Sequence, residues 1–191
     1  MKRIIVLLIT VAIATTLAAC GTSGGKDGGD APKIPSALVL LKTVWDGYKE
    51  DEKFPAAGGD FSEENMKMDE PGKFGLTDTA ALDSTLAVPE TLAAQIDDAA
   101  SLVHMMNANT FTCGAFHVKE ADDVAAFADA MKESIATRQW MCGFPDKLVI
   151  ITVGEEYVVS SFGEEEIMNT FKDKVLAAYE TAKVVYEEAI Q

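Results

Sequence analysis

The sequence predicts an α+β fold: a four-stranded antiparallel sheet from two hairpins, covered by two long helices, with one further helix at the N-terminal end. Two observations carry this prediction. Short runs rich in β-branched and aromatic residues occur in two pairs, and a short turn joins each pair. After each pair comes a longer segment in which apolar residues recur every three or four positions, as on one face of a helix.

The first predicted element is a helix that begins near Pro35-Ser36. Its apolar residues recur at spacings of three and four, which places them on one face: Leu38, Leu41, Trp45 and Tyr48. From 56 to 87 glycine and proline signal turns and apolar residues are sparse, so we expect loops and short helical turns. A helix with a clearer signal than anything in 56–87 is expected from Pro89, because proline suits the first helical position.

The first hairpin is predicted from residues 101–106 and 110–119, with Asn107-Ala108-Asn109 as the turn, since asparagine tolerates turn conformations. Residues 121–142 form the clearest helix, of about six turns. Its apolar stripe consists of Val124, Phe127, Met131, Ile135 and Cys142. Gly143 and Pro145 form a strong stop signal after it.

The second hairpin is predicted from an unbroken apolar run at 148–153, typical of a strand covered on both faces, and a second strand at 157–162. The last helix is expected to open with a capping box of Ser161 and Glu164, and its apolar stripe continues to Val185. Residues 35–191 are therefore expected to form a single domain.

The first twenty residues have the three parts of an export signal: basic Lys2-Arg3, a short apolar block, and small residues before a cleavage point. The apolar block is shorter than the ~20 residues of a transmembrane helix. Leu17-Ala18-Ala19-Cys20 resembles the lipobox of bacterial lipoproteins, which implies that residues 1–19 are a signal peptide and that Cys20 carries a diacylglycerol. Since two acyl chains give stable anchoring, we expect a protein tethered to the outer, extracytoplasmic face of the cell membrane.

Residues 20–34 have the Gly-rich composition of a flexible tether, which would span ~40 Å when extended at ~3.3 Å per residue. Loss of residues 1–19 removes two basic residues and takes the net charge from −15 to −17. Phosphate backbones repel so acidic a surface, which excludes nucleic acid as a partner. The 172 residues that remain of 191 are enough for one hydrophobic core.

A wider pattern combines the lipobox and tether with Met105-Met106-Asn107, a strand ending at 115–119, a long helix, and a hairpin around 154–157. This pattern resembles the bacterial lipoproteins of domain-of-unknown-function family 4358. The resemblance covers roughly residues 92–179 together with the anchor, and it does not explain residues 56–87. It implies a location outside the cytoplasm and a small α+β domain, and it carries no catalytic residues to transfer.

Cys113 and Cys142 are the two cysteines that remain once Cys20 is lipidated. Outside the cell they could form a disulfide, because the predicted helix that carries Cys142 runs back along the strand that holds Cys113. The alternative is two separately buried thiols, which behave as small apolar side chains.

No catalytic, cofactor or metal site is predicted. Cys113 and His117 share a strand face but lie ~13 Å apart at ~3.3 Å per residue, so we do not expect them to hold zinc with His104 and Cys142. Ser160-Ser161 lack the Gly-x-Ser-x-Gly elbow of a nucleophilic serine.

These observations favour a non-catalytic lipoprotein that binds another envelope component or an extracellular ligand. An envelope hydrolase with a carboxylate site that matches no motif is the first alternative, and a solute-binding receptor is the second. A deep pocket with converging carboxylates would favour the hydrolase. A continuous exposed apolar patch would favour the binding module.

Overall fold

The computed structural model describes residues 33–141 and 143–190, which form an antiparallel sheet of eight strands with helices on both faces. In chain order the elements are α1 (Ala37–Asp46), β1 (Ala56–Gly58), β2 (Lys67–Met68), β3 (Gly72–Lys73), α2 (Thr79–Leu86), β4 (Ile96–His104), β5 (Phe111–Val118), α3 (Val124–Ala136), β6 (Lys147–Val153), β7 (Tyr157–Gly163), α4 (Glu165–Ala178) and β8 (Lys183–Ala189). Two short 3₁₀ helices, Glu90–Gln95 and Ala121–Asp123, precede β4 and α3.

The strands lie in the order β2-β1-β4-β5-β7-β6-β8, and β3 pairs with β4 beside β1. Among the described residues, no helix is both long enough and apolar enough to cross a membrane. The predicted signal peptide, Cys20, most of the tether and Cys142 lie outside the described residues.

The sheet separates two hydrophobic cores, one beneath α1 and α4 and the other beneath α2 and α3. Because side chains alternate along a strand, neighbouring residues of β6 enter different cores. Val149 and Ile151 pack with α1 and α4, while Leu148 and Ile150 pack with α2 and α3. The prediction that residues 148–153 form a strand covered on both faces is confirmed.

The predicted four-stranded sheet covered by two long helices is wrong, because four further strands extend the sheet at both edges. Three of them, β1 to β3, lie where loops and helical turns were expected, and each has only two or three residues. Gly58 and Gly72 approach so closely that a Cβ on Gly58 would overlap the backbone nitrogen of Gly72. Such strands pair through the backbone, so they leave no alternating side-chain pattern for a sequence to show.

The fourth additional strand, β8, replaces the C-terminal part of the predicted last helix. α4 ends at Ala178, and residues 183–189 pair with β6 instead. Valine and tyrosine suit a strand, but β8 is an edge strand with almost every side chain exposed. It therefore lacks the alternation of apolar and polar residues that marks a half-buried strand. Its apolar residues instead continue the helical spacing of α4, which wrongly predicts a longer helix.

The helix boundaries also differ from the prediction. α3 ends at Ala136, well before Cys142, and the helix expected from Pro89 is a 3₁₀ helix of six residues. β4 accordingly begins at Ile96 rather than at 101. Ser161 lies inside β7 and does not cap α4, whose N-cap is Glu164.

The two ends of the sheet have different surroundings. At the end that we call proximal, the chain enters the domain: the Tyr157 hydroxyl donates to the Ile34 carbonyl (3.2 Å), and Asp98 accepts from the Ala37 N–H (2.7 Å). The opposite, distal end holds the β4–β5 turn, the 137–146 loop and the start of α4. The eight residues of β5 separate the two ends by ~25 Å at ~3.3 Å per residue.

Candidate functional site

The candidate functional site is a group of exposed apolar side chains at the distal end, which we call the distal patch: Met105, Met106, Met141 and Phe144. Met106, Met141 and Phe144 are 76%, 80% and 73% exposed, whereas Met131 and Met168 are fully buried. Grouped, exposed apolar side chains are typical of interaction surfaces. The thioethers are flexible and polarisable, which lets such a surface adapt to the shape of a partner.

Hydrogen bonds from Asn109 hold the two loops of the distal patch together. Its amide nitrogen donates to the carbonyl oxygens of Met141 and Gly143, both at 2.9 Å. Within the β4–β5 turn, the Asn107 side-chain oxygen accepts from the Asn109 N–H at 3.0 Å. The loop that carries Met105 and Met106 and the loop that carries Met141 and Phe144 are therefore fixed side by side.

Aromatic side chains support these loops from the core. The His104 ring stacks on Phe54 with centroids 5.5 Å apart, and Phe54 packs edge-on against Phe111 at 5.1 Å. In the second loop, half-buried Trp140 packs on Phe162 at 4.7 Å. The distal patch therefore lies on a packed base.

Three exposed carboxylates border the distal patch, and we call them the acidic rim: Asp146, Glu164 and Glu165. The Glu164 N–H donates to the Thr110 carbonyl at 2.9 Å, next to Asn109. The Asp146 carboxylate accepts from the Glu165 N–H at 3.0 Å. These bonds bring the carboxylates to the same end of the molecule as Phe144, two residues before Asp146 in the chain.

A second polar cluster surrounds His117 at the proximal end. Its Nδ1 lies 2.6 Å from Asp97 Oδ1, and its Nε2 lies 3.3 Å from Glu156 Oε2. Burial by itself lowers the pKa of His117, but the bonds to Asp97 and Glu156 outweigh it and raise that pKa above its ordinary value. The ring of Tyr157 lies 4.9 Å from the imidazole, and burial raises the pKa of Tyr157 to about 12.

The His117 cluster joins β4, β5 and the β6–β7 turn rather than forming a nucleophile and base. Both ring nitrogens are bonded to carboxylates, and no serine, threonine or cysteine of the described residues bonds to the ring. Asp97 and Asp98 also line a hollow of about 290 Å³, together with Glu64 and Lys73. The arrangement provides ion pairing across three chain segments.

The structure separates most residues that the sequence singled out. His104 lies at the distal end and His117 at the proximal end. Cys113 is fully buried on the sheet face that α1 and α4 cover, and Ser161 is buried with its hydroxyl donating to the Val149 carbonyl (3.1 Å). Within residues 33–141 and 143–190, no three His, Cys, Asp or Glu side chains converge to hold a metal ion.

Two of the predicted site residues, Cys20 and Cys142, lie outside the described residues. Lipid attachment at Cys20 therefore stays a prediction, and both alternatives for Cys113 stay open: a disulfide with Cys142 or a separately buried thiol.

The sequence does not predict the distal patch, because its pattern places Met106 in a strand and Met141 in a helix. A signal was present: these apolar residues stand directly beside turn formers, in Met105-Met106-Asn107 and Met141-Cys142-Gly143. Apolar side chains next to turn formers tend to fall in surface loops, where burial is not guaranteed.

Comparison with known proteins gives no match: no family model, no curated protein and no solved structure resembles the chain significantly. The resemblance to domain-of-unknown-function family 4358 accordingly stays a prediction.

Proposed function

We propose that the protein is an extracytoplasmic lipoprotein that acts as a binding module, anchored through Cys20 and presenting the distal patch to another protein of the cell envelope. The observation that carries the proposal is the exposure of Met106, Met141 and Phe144 on loops that Asn109 fixes together. Each Å² of apolar surface that a partner removes from water contributes about 25 cal/mol. Because the loop backbones are already in place, the entropic cost of ordering on binding falls mainly on the side chains.

The position of the distal patch fits an anchored binding module. Ile34 and Ala37 lie at the proximal end, where the tether joins the domain. A lipid on Cys20 would anchor the domain through its proximal end, which lies ~25 Å from the distal patch along β5, at ~3.3 Å per residue, so the anchor itself would not cover the patch. The patch would then be accessible to a partner that is not itself a lipid.

The hydrolase and receptor alternatives have less support. A hydrolase with a carboxylate site needs a carboxylate that is free to activate water. In the hollow that Asp97 and Asp98 line, Asp97 is bonded to His117 and Asp98 accepts from the Ala37 N–H. A solute receptor closes two lobes around a cleft, whereas residues 33–141 and 143–190 share one sheet.

Two measurements in the native bacterium test the proposal. First, Cys20→Ala should abolish incorporation of labelled fatty acid and change the processing of the precursor. Second, a photoreactive amino acid placed at Met106 should give a discrete crosslinked protein, whereas the same group at exposed Glu155 of the proximal end should not. Unchanged processing of the Cys20 variant, or identical adducts from both positions, would contradict the proposal.

A further inference from the structure

The acidic rim is not neutralised from within the described part of the chain. None of Asp146, Glu164 and Glu165 forms an ion pair with a described Lys or Arg. The cations in the neighbouring segments are engaged elsewhere: Lys147 with Glu187 (2.6 Å) and Arg138 with Asp83 (3.2 Å). The rim therefore keeps its negative charge beside an apolar surface.

The rest of the molecule strengthens this negative potential. With a net charge of −15 for the full chain, the field of the whole protein attracts cationic partners and repels anionic ones. Complementary charges raise the association rate and exclude wrong partners, while buried apolar contacts supply most of the affinity. The distal patch and its rim provide both kinds of contact on one surface.

We infer that the partner segment recognised by the distal patch is a basic amphipathic peptide segment of another protein, and this inference rests on the proposed function. Its apolar side chains pack on Met106, Met141 and Phe144. Its lysine or arginine side chains pair with Asp146, Glu164 and Glu165. Methionine-rich surfaces suit such segments because their side chains adjust to different apolar partners.

Other occupants of the distal patch are disfavoured by the same charges. Anionic lipid headgroups would meet the acidic rim, and like charges repel. A second copy of this chain, related by a two-fold axis, would bring two acidic rims together. These occupants are separate outcomes of the test below.

The test uses the mature lipidated chain in zwitterionic nanodiscs and three fluorescent helical peptides of equal length. One peptide combines leucine and lysine on opposite faces, the second replaces lysine with glutamate, and the third replaces leucine with serine. The leucine and lysine peptide should bind about tenfold or more tightly than either control, equivalent to ~1.4 kcal/mol. Its affinity should fall as salt rises from about 0.05 to about 0.5 M, because salt screens exposed charges.

Two matched sets of substitutions test whether the affinity for the leucine and lysine peptide depends on the acidic rim. The triple substitution Asp146→Asn, Glu164→Gln, Glu165→Gln should weaken binding about tenfold, at ~0.2–1 kcal/mol per exposed ion pair, and flatten the salt dependence. A control set with the same charge change at exposed acids of the proximal end, Glu120→Gln, Asp122→Asn, Glu155→Gln, should leave affinity within twofold, about 0.4 kcal/mol. Circular dichroism confirms that each variant is folded.

The outcomes separate the inference from the proposed function. Equal binding of the lysine and glutamate peptides, or equal losses in both variant sets, would overturn the inference. So would patch-dependent binding to anionic vesicles or patch-dependent dimerisation in sedimentation. If the rim variant keeps the Met106 crosslink in cells while Met141→Ser and Phe144→Ser lose it, the partner class is wrong and the proposed function stands. If no crosslink forms at Met106 at all, the proposed function itself fails.

Discussion

Asn109 and Met141 are 32 residues apart in the chain, yet the Asn109 amide nitrogen donates a 2.9 Å hydrogen bond to the Met141 carbonyl oxygen. The same nitrogen also donates to the carbonyl of Gly143. One side chain thus sets the relative position of the two loops that carry the distal patch. Its contribution to binding can be separated from its contribution to stability.

Asn109→Asp keeps the shape of the side chain but removes both donors. We expect amide hydrogen exchange to accelerate in residues 137–146 and peptide binding to weaken, because the second loop is no longer fixed beside the first. The free energy of unfolding should fall by only about 1 kcal/mol, since the freed carbonyls lie at the surface and water can bind them. Exchange measured by mass spectrometry is the readout, and unchanged exchange in 137–146 would contradict the assigned role.

His117 gives a pH-dependent prediction. Its pKa in the folded protein lies above the ordinary value of 6.5, so the protonated ring stabilises the fold. The contribution is fully present below pH 6.5 and is lost as pH rises through the folded pKa. We therefore expect wild type to exceed His117→Gln in unfolding free energy most below pH 6.5, with the difference shrinking towards alkaline pH.

Urea denaturation across this pH range measures the His117 effect. His104→Gln is the matched control for loss of an imidazole, because the His104 ring stacks on Phe54 and bonds no carboxylate among the described residues. A difference between wild type and His117→Gln that grows with pH would show that the assigned ion pairs are wrong.

Asp60 organises the loop between β1 and β2. Its carboxylate accepts hydrogen bonds from the Ser62 N–H (3.0 Å), the Asn65 side chain (2.8 Å) and the Gly75 N–H (3.0 Å). Partial burial raises its pKa, but these bonds and one from the Ser62 hydroxyl outweigh that effect and lower the pKa to about 2. The carboxylate therefore stabilises the fold above the ordinary value of 3.8, and this stabilisation is lost as pH falls through about 2.

Asp60→Asn should accordingly lower the unfolding free energy by about 1–2 kcal/mol at neutral pH, because an amide accepts fewer and weaker bonds. The loss should narrow as pH falls from 3.8 towards 2. Denaturation of both proteins across that interval tests this, with the exposed Glu63→Gln as control. An equal loss at both ends of the interval would mean that the charge of Asp60 is unimportant.

A strand can be predicted from the sequence where burial imposes a pattern. Val149 and Ile150 enter opposite cores, so the β6 run had to be apolar at every position, and the strand was recognisable. Prediction fails at β1 and β3, where Gly58 pairs with Lys67 and Gly72 pairs with Ser101 through the backbone alone. In β8, exposure removed the period-two pattern, so Val184 and Val185 continued what looked like a helical stripe.

The candidate site is harder to predict than the fold, because it consists of apolar side chains that no other element of the fold buries. Met131 and Met141 belong to the same residue type, but α3 buries the first and the loop after it exposes the second. Whether a methionine beside a turn finds a partner surface is decided by tertiary packing. The asparagine that joins the two loops bonds across 32 residues, beyond the reach of any local pattern.

Cys113 offers the last prediction. It is fully buried on the face beneath α1 and α4, and burial raises the pKa of its thiol well above the ordinary value. Because the thiolate is the reactive form, we expect no alkylation in the native protein. The helix expected to bring Cys142 to it ends at Ala136 and packs on the other face, so the geometric reason for a disulfide is gone.

We therefore expect Cys113 to be alkylated without reductant once the protein is unfolded, which mass spectrometry of unreduced peptides would detect. A Cys113–Cys142 peptide in the same spectrum would contradict this prediction and establish the bond. Cys113→Ala and Cys113→Ser should differ in unfolding free energy by about 1–3 kcal/mol, with serine the less stable, because its hydroxyl enters an apolar core. If serine were as stable as alanine, the Cys113 site would have to contain a hydrogen-bond partner for the hydroxyl.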